Sequence, residues 1–361
     1  MFKRHMLTLA LTLCVAPTFA QQGPKPVPAD AATRKAVIAE LSSQLNSHYV
    51  FPDVAAKLAN ALAAKDASGG YAGAKDSKAF AEALSQDLRT LGNDGHFFVG
   101  YDPNFRASPP DGKPDAETLE SMRRETLSRG FGIDSVKRLP GNVGYLELRG
   151  FGPTAMVGAA LTGAMTILSG TDALILDLRR NGGGEPETVA YLMSHFFAPG
   201  DERHLNDLYF RSGDKTRQYW TSASVGPRYT RPVYVLTSER TFSGGEECAY
   251  DFQTQKRAKI VGETTGGGAN PGDGYAIGKG YAAFIPNGRA INPITKTNWE
   301  HIGVKPDIAV PAADAQKVAH AAILRDLIAA SKEPDEKAEL QDSLKDVEAG
   351  VVAVPVYAKR R

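Results

Sequence analysis

Ser243 is followed by Gly244 and Gly245 and preceded, a few residues back, by the apolar run Val233-Tyr-Val-Leu236. That run reads as a buried strand, and Cys248, Ala249 and Phe252 recur at helical spacing beyond the serine. A serine at such a strand-to-helix junction presents its hydroxyl at a sheet edge, beside unhindered glycine amides and the positive end of a helix dipole. Those are the requirements of an acyl-transfer nucleophile. The same residues, Ser243-Gly-Gly-Glu246, also spell a capping box, in which the serine only caps the helix and the glutamate reaches back. Two consecutive glycines weaken a helix start, which a cap does not require and close approach of another group does.

A second run, Asp177-Leu-Arg-Arg-Asn-Gly-Gly-Gly184, follows the most apolar strand of the chain and precedes a helix. It lacks the G-x-G-x-x-G spacing and the Lys-Ser/Thr of phosphate-binding loops. Its amides suit an oxyanion hole, which takes one donor beside the nucleophile and one from a neighbouring loop; a plain tight turn is the alternative. For a base, the chain beyond residue 20 offers His48, His96, His195, His204, His301 and His320. His96 stands in a glycine turn at the head of a strand, where a ring can project into a cleft. Glu300 in Thr297-Asn-Trp-Glu300 can orient an imidazole, and its default role is a solvated charge. Spacing alone does not choose among these residues. There is no H-E-x-x-H, no CxxC and no carboxylate cluster of EF-hand form, so neither a metal nor another cofactor is expected.

Elements must hold these groups in place. From Ala31 to about Leu91 three short amphipathic helices recur, with Val37, Ile38, Leu41 and Leu45 on one face, then Val54, Leu58 and Leu62, then Phe80, Leu84 and Leu88. Residues 101–140 read as a connecting region containing a helix from Ala116 to Arg129. From Gly141 to residue 332, strands at 143–148, 173–178 and 233–236 alternate with helices, which argues for an α/β layer. Hairpin material at 208–221 and 275–285, a strand at 302–310 and a helix at 318–328 complete that unit. Residues 333–361 read as a charged tail of low pattern, to which no structure is assigned.

The chain has 361 residues and a formal charge of +1, with no electrostatic footprint for nucleic acid or anionic membrane. Residues 1–20 read as a secretory signal, with Lys3 and Arg4, the apolar run Met6 to Val15 and Thr18-Phe-Ala20 at the cleavage point. Cleavage there removes two positive charges and leaves −1, with an extended arm at 21–30. The expected product is exported, to the periplasm or the medium, with no stable membrane anchor. Cys14 falls within the signal, and Cys248 then has no disulfide partner and reads as a small core residue.

Six segments, His48-Tyr-Val-Phe-Pro52, Asp94-Gly-His96, Asp177 to Gly184, Thr237 to Glu247, Val261-Gly-Glu-Thr-Thr-Gly-Gly-Gly268 and Asn298 to Asp307, occur in an order that resembles the C-terminal-processing (tail-specific) serine peptidase family. The similarity is greatest to the branch of the tricorn protease core and interphotoreceptor retinoid-binding protein. It implies a crotonase-like ββα superhelical α/β core preceded by a small N-terminal three-helix domain. It also implies Ser243 as nucleophile, His96 as base, Glu300 as its acidic partner, and an oxyanion hole from Gly244 with Gly182 or Gly183. Better-known members pair the serine with a lysine about two dozen residues later; here that place is Gly266-Gly-Gly268, and Lys279 falls too late. No PDZ pattern is visible between Tyr101 and Pro140, so C-terminal specificity is not carried over.

The expectation is an exported serine peptidase acting on peptide or protein substrates through an acyl-enzyme. One alternative is a binder of apolar ligands or peptides on the same fold, with Phe97, Phe98, Tyr101 and Phe105 lining its pocket. Another is an esterase with a downstream base, His301 or His320.

Overall fold

The computed structural model describes residues 24–107 and 115–351; the stretch read as a secretory signal and the end of the tail lie outside the described residues. Helices α1 (Ala31–His48), α2 (Pro52–Ala67) and α3 (Ser77–Gly92) form the expected bundle. The Asp30 carboxylate caps α1 through Thr33 N–H, Pro52 opens α2 where no amide partner is needed, and Asp76 caps α3 through Lys78 and Ala79 N–H. Leu41, Leu45, Leu58, Leu62, Phe80 and Leu84 are buried between them. Asn93 then ends α3 in the left-handed region at φ 49, turning the chain into Asp94-Gly-His96 and strand β1 (Phe98–Tyr101).

Helix α4 (Ala116–Ser128) leads to β2 (Ile133–Leu139) and β3 (Val143–Leu148), and then come α5 (Thr154–Leu168), β4 (Ala173–Asp177) and α6 (Pro186–Ser194). A hairpin, β5 (His204–Phe210) and β6 (Lys215–Trp220), precedes β7 (Val233–Thr237), α7 (Gly244–Thr254) and β8 (Lys259–Gly262). Strands β9 (Gly272–Ala276), β10 (Tyr281–Pro286), β11 (Gly288–Ile291) and β12 (Ile308–Ala309) come before α8 (Ala312–Ala330) and α9 (Pro334–Ala349). The main sheet runs β12-β8-β7-β4-β3-β2, parallel except for β2. Leu146, Leu176 and Val235 face α5, α6 and α7, while their neighbours Tyr145, Ile175 and Tyr234 face α8 and α9. Burial on both faces is why these strands read as unbroken apolar runs.

Strand β1 pairs antiparallel with β10, Phe98 opposite Phe284, in a small sheet completed by β9. The helical bundle is thereby joined to a hairpin far along the chain, and Ile277, Tyr281 and Ile285 complete its core.

Three segments differ from expectation. β2 lies within the stretch read as a connection; as an edge strand rich in charge it carries little apolar signal. Residues 302–307 are loop, and only Ile308–Ala309 pair, because Gly303 and Val304 N–H go to Trp299 O and Thr265 Oγ1 instead of to a ladder. The tail forms α9, whose Leu340, Leu344 and Val347 recur at helical spacing and pack beside α8.

Candidate active site

Ser243 ends the loop between β7 and α7 with φ 54 and ψ −123, in the left-handed half of the map where non-glycine residues are strained. The loop is held rigidly there. Thr241 Oγ1 donates to Leu178 O at 2.8 Å, Ser238 Oγ to Arg179 O at 2.5 Å, and Phe242 N–H to Asn181 O at 3.0 Å. The main-chain N–H groups of Glu246 and Glu247 both reach the Ser243 carbonyl, at 2.8 and 2.9 Å. Glu246 does reach back, with Oε2 accepting Ser243 N–H at 2.9 Å. Its carboxylate also accepts from Thr265 Oγ1 (2.5 Å), Gly267 N–H (2.6 Å) and Gly268 N–H (2.9 Å). Burial pushes the Glu246 carboxyl up, and these hydrogen bonds oppose that shift.

The glycine run after β4 packs against the serine. A Cβ on Gly183, at φ 103, would stand 2.7 Å from Ser243 Cβ and 2.9 Å from Gly244 N, so only glycine fits. Gly182 N–H donates to Arg149 O and Gly183 N–H to Asn181 Oδ1, at 3.2 and 2.9 Å. Neither is therefore the open donor that the sequence suggests. Gly184 N–H has no acceptor among the described residues, because the bridge with Phe151 uses the Gly183 carbonyl and the Glu185 amide. It lies 3.0 Å from where a Gly244 Cβ would be. Gly244 N–H opens α7 and has no intrahelical acceptor. Gly183 and Gly184 also line a cavity of about 560 Å3, together with Met122, Phe131, Phe151, Pro153 and Val157.

His96 reaches the site because β1 pairs with β10. Its ring lies 4.6 Å from the ring of Phe242, the residue before the serine, and 6.3 Å from that of Phe284. Gly266 and Gly268 leave the space Phe242 needs, and a Cβ on Gly268 would meet His96 Cε1 at 2.7 Å. Both ring nitrogens of His96 are buried without a hydrogen-bond partner, so no bond to Ser243 is formed in this state. Asp94 and Glu300 flank it, and ligand atoms of the three groups lie within 4.8 Å of one another. Trp299 Nε1 anchors the Glu300 segment to Gly268 O at 2.7 Å, and Ala269 N–H binds Glu300 Oε2 at 2.5 Å. Burial first, then the Asp94 carboxylate, push the Glu300 carboxyl up to about 8. At neutral pH it holds its proton unless a cation such as imidazolium stands beside it.

Four of the other histidines are engaged elsewhere. His48 stacks on Tyr275, His204 on Trp220, and His195 and His320 bind the carbonyls of Pro227 and Pro140. His320 thus cannot be the esterase-type base, while His301 lies half-exposed with Nδ1 3.5 Å from Glu300 Oε1. Lys279 occupies an exposed turn between β9 and β10. The aromatic set proposed for an apolar ligand does not converge: Phe97 is core of the bundle, Phe98 is 54% exposed, and Phe105 covers Gly274. Sequence reasoning gave no role to Asp94 or Asn181. Asp94 stands within the motif that carries His96, and Asn181 directly precedes the glycine run, which is the signal that could have found them.

A family model described as peptidase family S41 matches residues 142–310, and one for the N-terminal domain of these peptidases in eukaryotic IRBP matches residues 28–130. Carboxyl-terminal-processing peptidase 1, chloroplastic, of Arabidopsis thaliana is 25% identical over 204 residues, 56% of this chain and 39% of that protein. Carboxy-terminal processing protease CtpB of Bacillus subtilis (strain 168) is 28% identical over 151 residues, 40% of this chain and 28% of that protein. The matched segments thus span well under half of these relatives. Among solved structures, a lipoprotein from Streptococcus agalactiae superimposes with a TM-score of 0.53 at 14% identity, over 84% of this chain and 100% of that one. A peptidase candidate from Parabacteroides merdae ATCC 43184 gives 0.52 at 18% identity, over 77% and 90%. At such identities the structures speak for the fold alone. The two family models follow one another along most of the chain, meeting the helical bundle and the sheet that carries Ser243 in turn, and the chain belongs to peptidase family S41.

Proposed function

We propose that this protein is an exported serine peptidase that hydrolyses peptide bonds through an acyl-enzyme on Ser243. The observation that carries this reading is the Ser243 backbone at φ 54, ψ −123. An ordinary N-cap sits in the extended region, whereas this conformation costs about 1–3 kcal/mol and persists only where the surroundings enforce it. A capping role accounts for none of that cost. Presentation of Oγ above the helix N-terminus does.

In this mechanism Ser243 Oγ attacks the substrate carbonyl carbon while His96 takes its proton. The resulting oxyanion is bound by Gly244 N–H and by Gly184 N–H, in place of Gly182 or Gly183. Collapse breaks the C–N bond, and His96 returns the proton to the leaving amine. Water then repeats the sequence on the ester, with His96 again as base, releasing the acid and free Ser243. Glu300, once its own proton has passed to solvent, stabilises the charge of that imidazolium. The resting separation of His96 from any partner closes when substrate excludes water, since catalytic hydrogen bonds tighten in the Michaelis complex.

Labelling of the purified protein with a fluorophosphonate, read by intact mass, tests this reading. One adduct is expected, absent in Ser243→Ala, strongly slowed in His96→Ala and unchanged in His204→Ala. An adduct that survives Ser243→Ala, or a folded wild type that never reacts, refutes it. No helix of the described residues is long and apolar enough to cross a membrane. Export predicts that chain recovered from a periplasmic extract begins near Gln21; recovery only of the uncut chain from cytosol argues against it.

A further inference from the structure

Asp94, His96 and Glu300 form a buried group, with the half-exposed His301 Nδ1 3.5 Å from Glu300 Oε1. The His96 side chain is 9% exposed and that of Asp94 0%. Both His96 ring nitrogens and Glu300 Oε1 are buried without a hydrogen-bond partner. Among the described residues no lysine or arginine pairs with either carboxylate. Buried carboxylates in that condition take up a proton, a cationic partner or a metal ion.

The spacing of one donor pair is close to that of a metal site. His96 Nδ1 and Asp94 Oδ1 are 3.7 Å apart, too far for a hydrogen bond. Two donors each about 2.1 Å from one tetrahedral zinc ion stand about 3.4 Å from each other. The remaining hydrogen bonds orient the carboxylates. Asp94 Oδ2 accepts Tyr49 OH (3.3 Å) and Asn270 Nδ2 (3.0 Å), and Oδ1 accepts His96 N–H (3.0 Å). Ala269 N–H holds Glu300 Oε2, while Oε1 accepts no hydrogen bond and has His301 Nδ1 3.5 Å away. Such outer bonds hold metal ligands in position, and the rings of Phe242 and Phe284 keep the surroundings apolar. One imidazole with two carboxylates suits zinc and its neighbours better than calcium or magnesium, which favour oxygen throughout.

We propose that Asp94, His96 and Glu300 bind a divalent transition-metal ion of the zinc type, and that its occupancy withdraws His96 from Ser243 and silences the enzyme. The second half rests on His96 being the base; the binding itself does not. The ion is an inhibitor, so hydrolysis proceeds without it.

Chelator-treated Ser243→Ala protein, titrated with Zn2+ by calorimetry and native mass spectrometry, tests binding without reference to activity. One ion per chain is expected, with Co2+ giving a visible ligand-field band at the same stoichiometry. Glu300→Gln and His96→Asn, each made in that background and checked by thermal melting, weaken uptake at least about tenfold and abolish the band. Asp94→Asn replaces either variant that fails to fold. Absence of stoichiometric uptake, or uptake undiminished in the folded variants, overturns the site. In the wild type, Zn2+ slows fluorophosphonate labelling and a chelator restores it; zinc bound at unchanged labelling rate overturns the silencing. A metal-free wild type that is never labelled, beside intact zinc uptake, refutes the peptidase reading and leaves the metal site standing.

Discussion

Two neighbouring glycines provide the sharpest test of how the serine is held. Nothing lies within 4 Å of a Cβ placed on Gly182, whereas one on Gly183 meets Ser243 Cβ at 2.7 Å, Gly244 N at 2.9 Å and Phe242 O at 3.0 Å. Gly183 also has φ 103, where an L side chain is strained. Moving from 2.7 Å to the 3.4 Å of ordinary contact requires a shift of about 0.7 Å between Gly183 and Ser243. Backbone strain of about 1–3 kcal/mol and overpacking of about 1–3 kcal/mol together predict that Gly183→Ala lowers stability by roughly 2–6 kcal/mol. Since a misplacement of about 1 Å costs on the order of 100-fold in rate, any folded Gly183→Ala protein should label with fluorophosphonate about 10- to 100-fold more slowly. Gly182→Ala should stay within about 0.5 kcal/mol of wild type and keep its labelling rate. Urea unfolding gives the first quantity and time-resolved intact mass the second. If the two variants are equally stable and equally reactive, the glycine wall does not position Ser243, and the account of the site fails.

Two further predictions concern buried carboxylates on α7. Glu246→Ala strips acceptors from Ser243, Thr265, Gly267 and Gly268 at once, and should lower stability by about 3–5 kcal/mol in urea unfolding; a loss under 1 kcal/mol would mean that these donors find other acceptors. Glu247 faces Asp251 on the next turn, with Asn206 and Glu187 nearby, and burial first, then Glu187, push its carboxyl up to about 7. The folded state therefore keeps a proton that the unfolded chain releases near the ordinary carboxylate value. That contribution is complete below about pH 4.5 and lost as pH rises through about 7. Glu247→Gln should flatten the fall in melting temperature between pH 5 and 8. An unchanged slope would place the titration elsewhere.

Local pattern makes much of this protein legible in its residues alone. Leu41, Leu45, Phe80, Leu84 and Leu88 mark helical faces by their spacing, and the β4 and β7 runs mark strands buried on both sides, because helix and strand periodicities act over a few residues. The strand-to-helix turn at Ser243 and the glycine run after Asp177 belong to the same class. Their chemistry is visible as residue types beside glycines. Edge strand β2 and the tail helix α9 escape because charged residues dilute their apolar pattern, although Leu340, Leu344 and Val347 keep helical spacing. The composition of the site is decided elsewhere. Asp94 and His96 meet Glu300 only because β1 pairs with β10, Phe98 opposite Phe284, a contact between segments that no local periodicity announces. The preference for His96 as the proposed base rests on what each ring touches, and that for Gly184 over Gly182 and Gly183 as the proposed second oxyanion donor on which amides the fold has already engaged. A side chain's type is written in the sequence. Its partners, its exposure to water and the strain in its backbone are set by segments far away in the chain, and in this protein those properties are what favour the proposed nucleophile over a helix cap at Ser243.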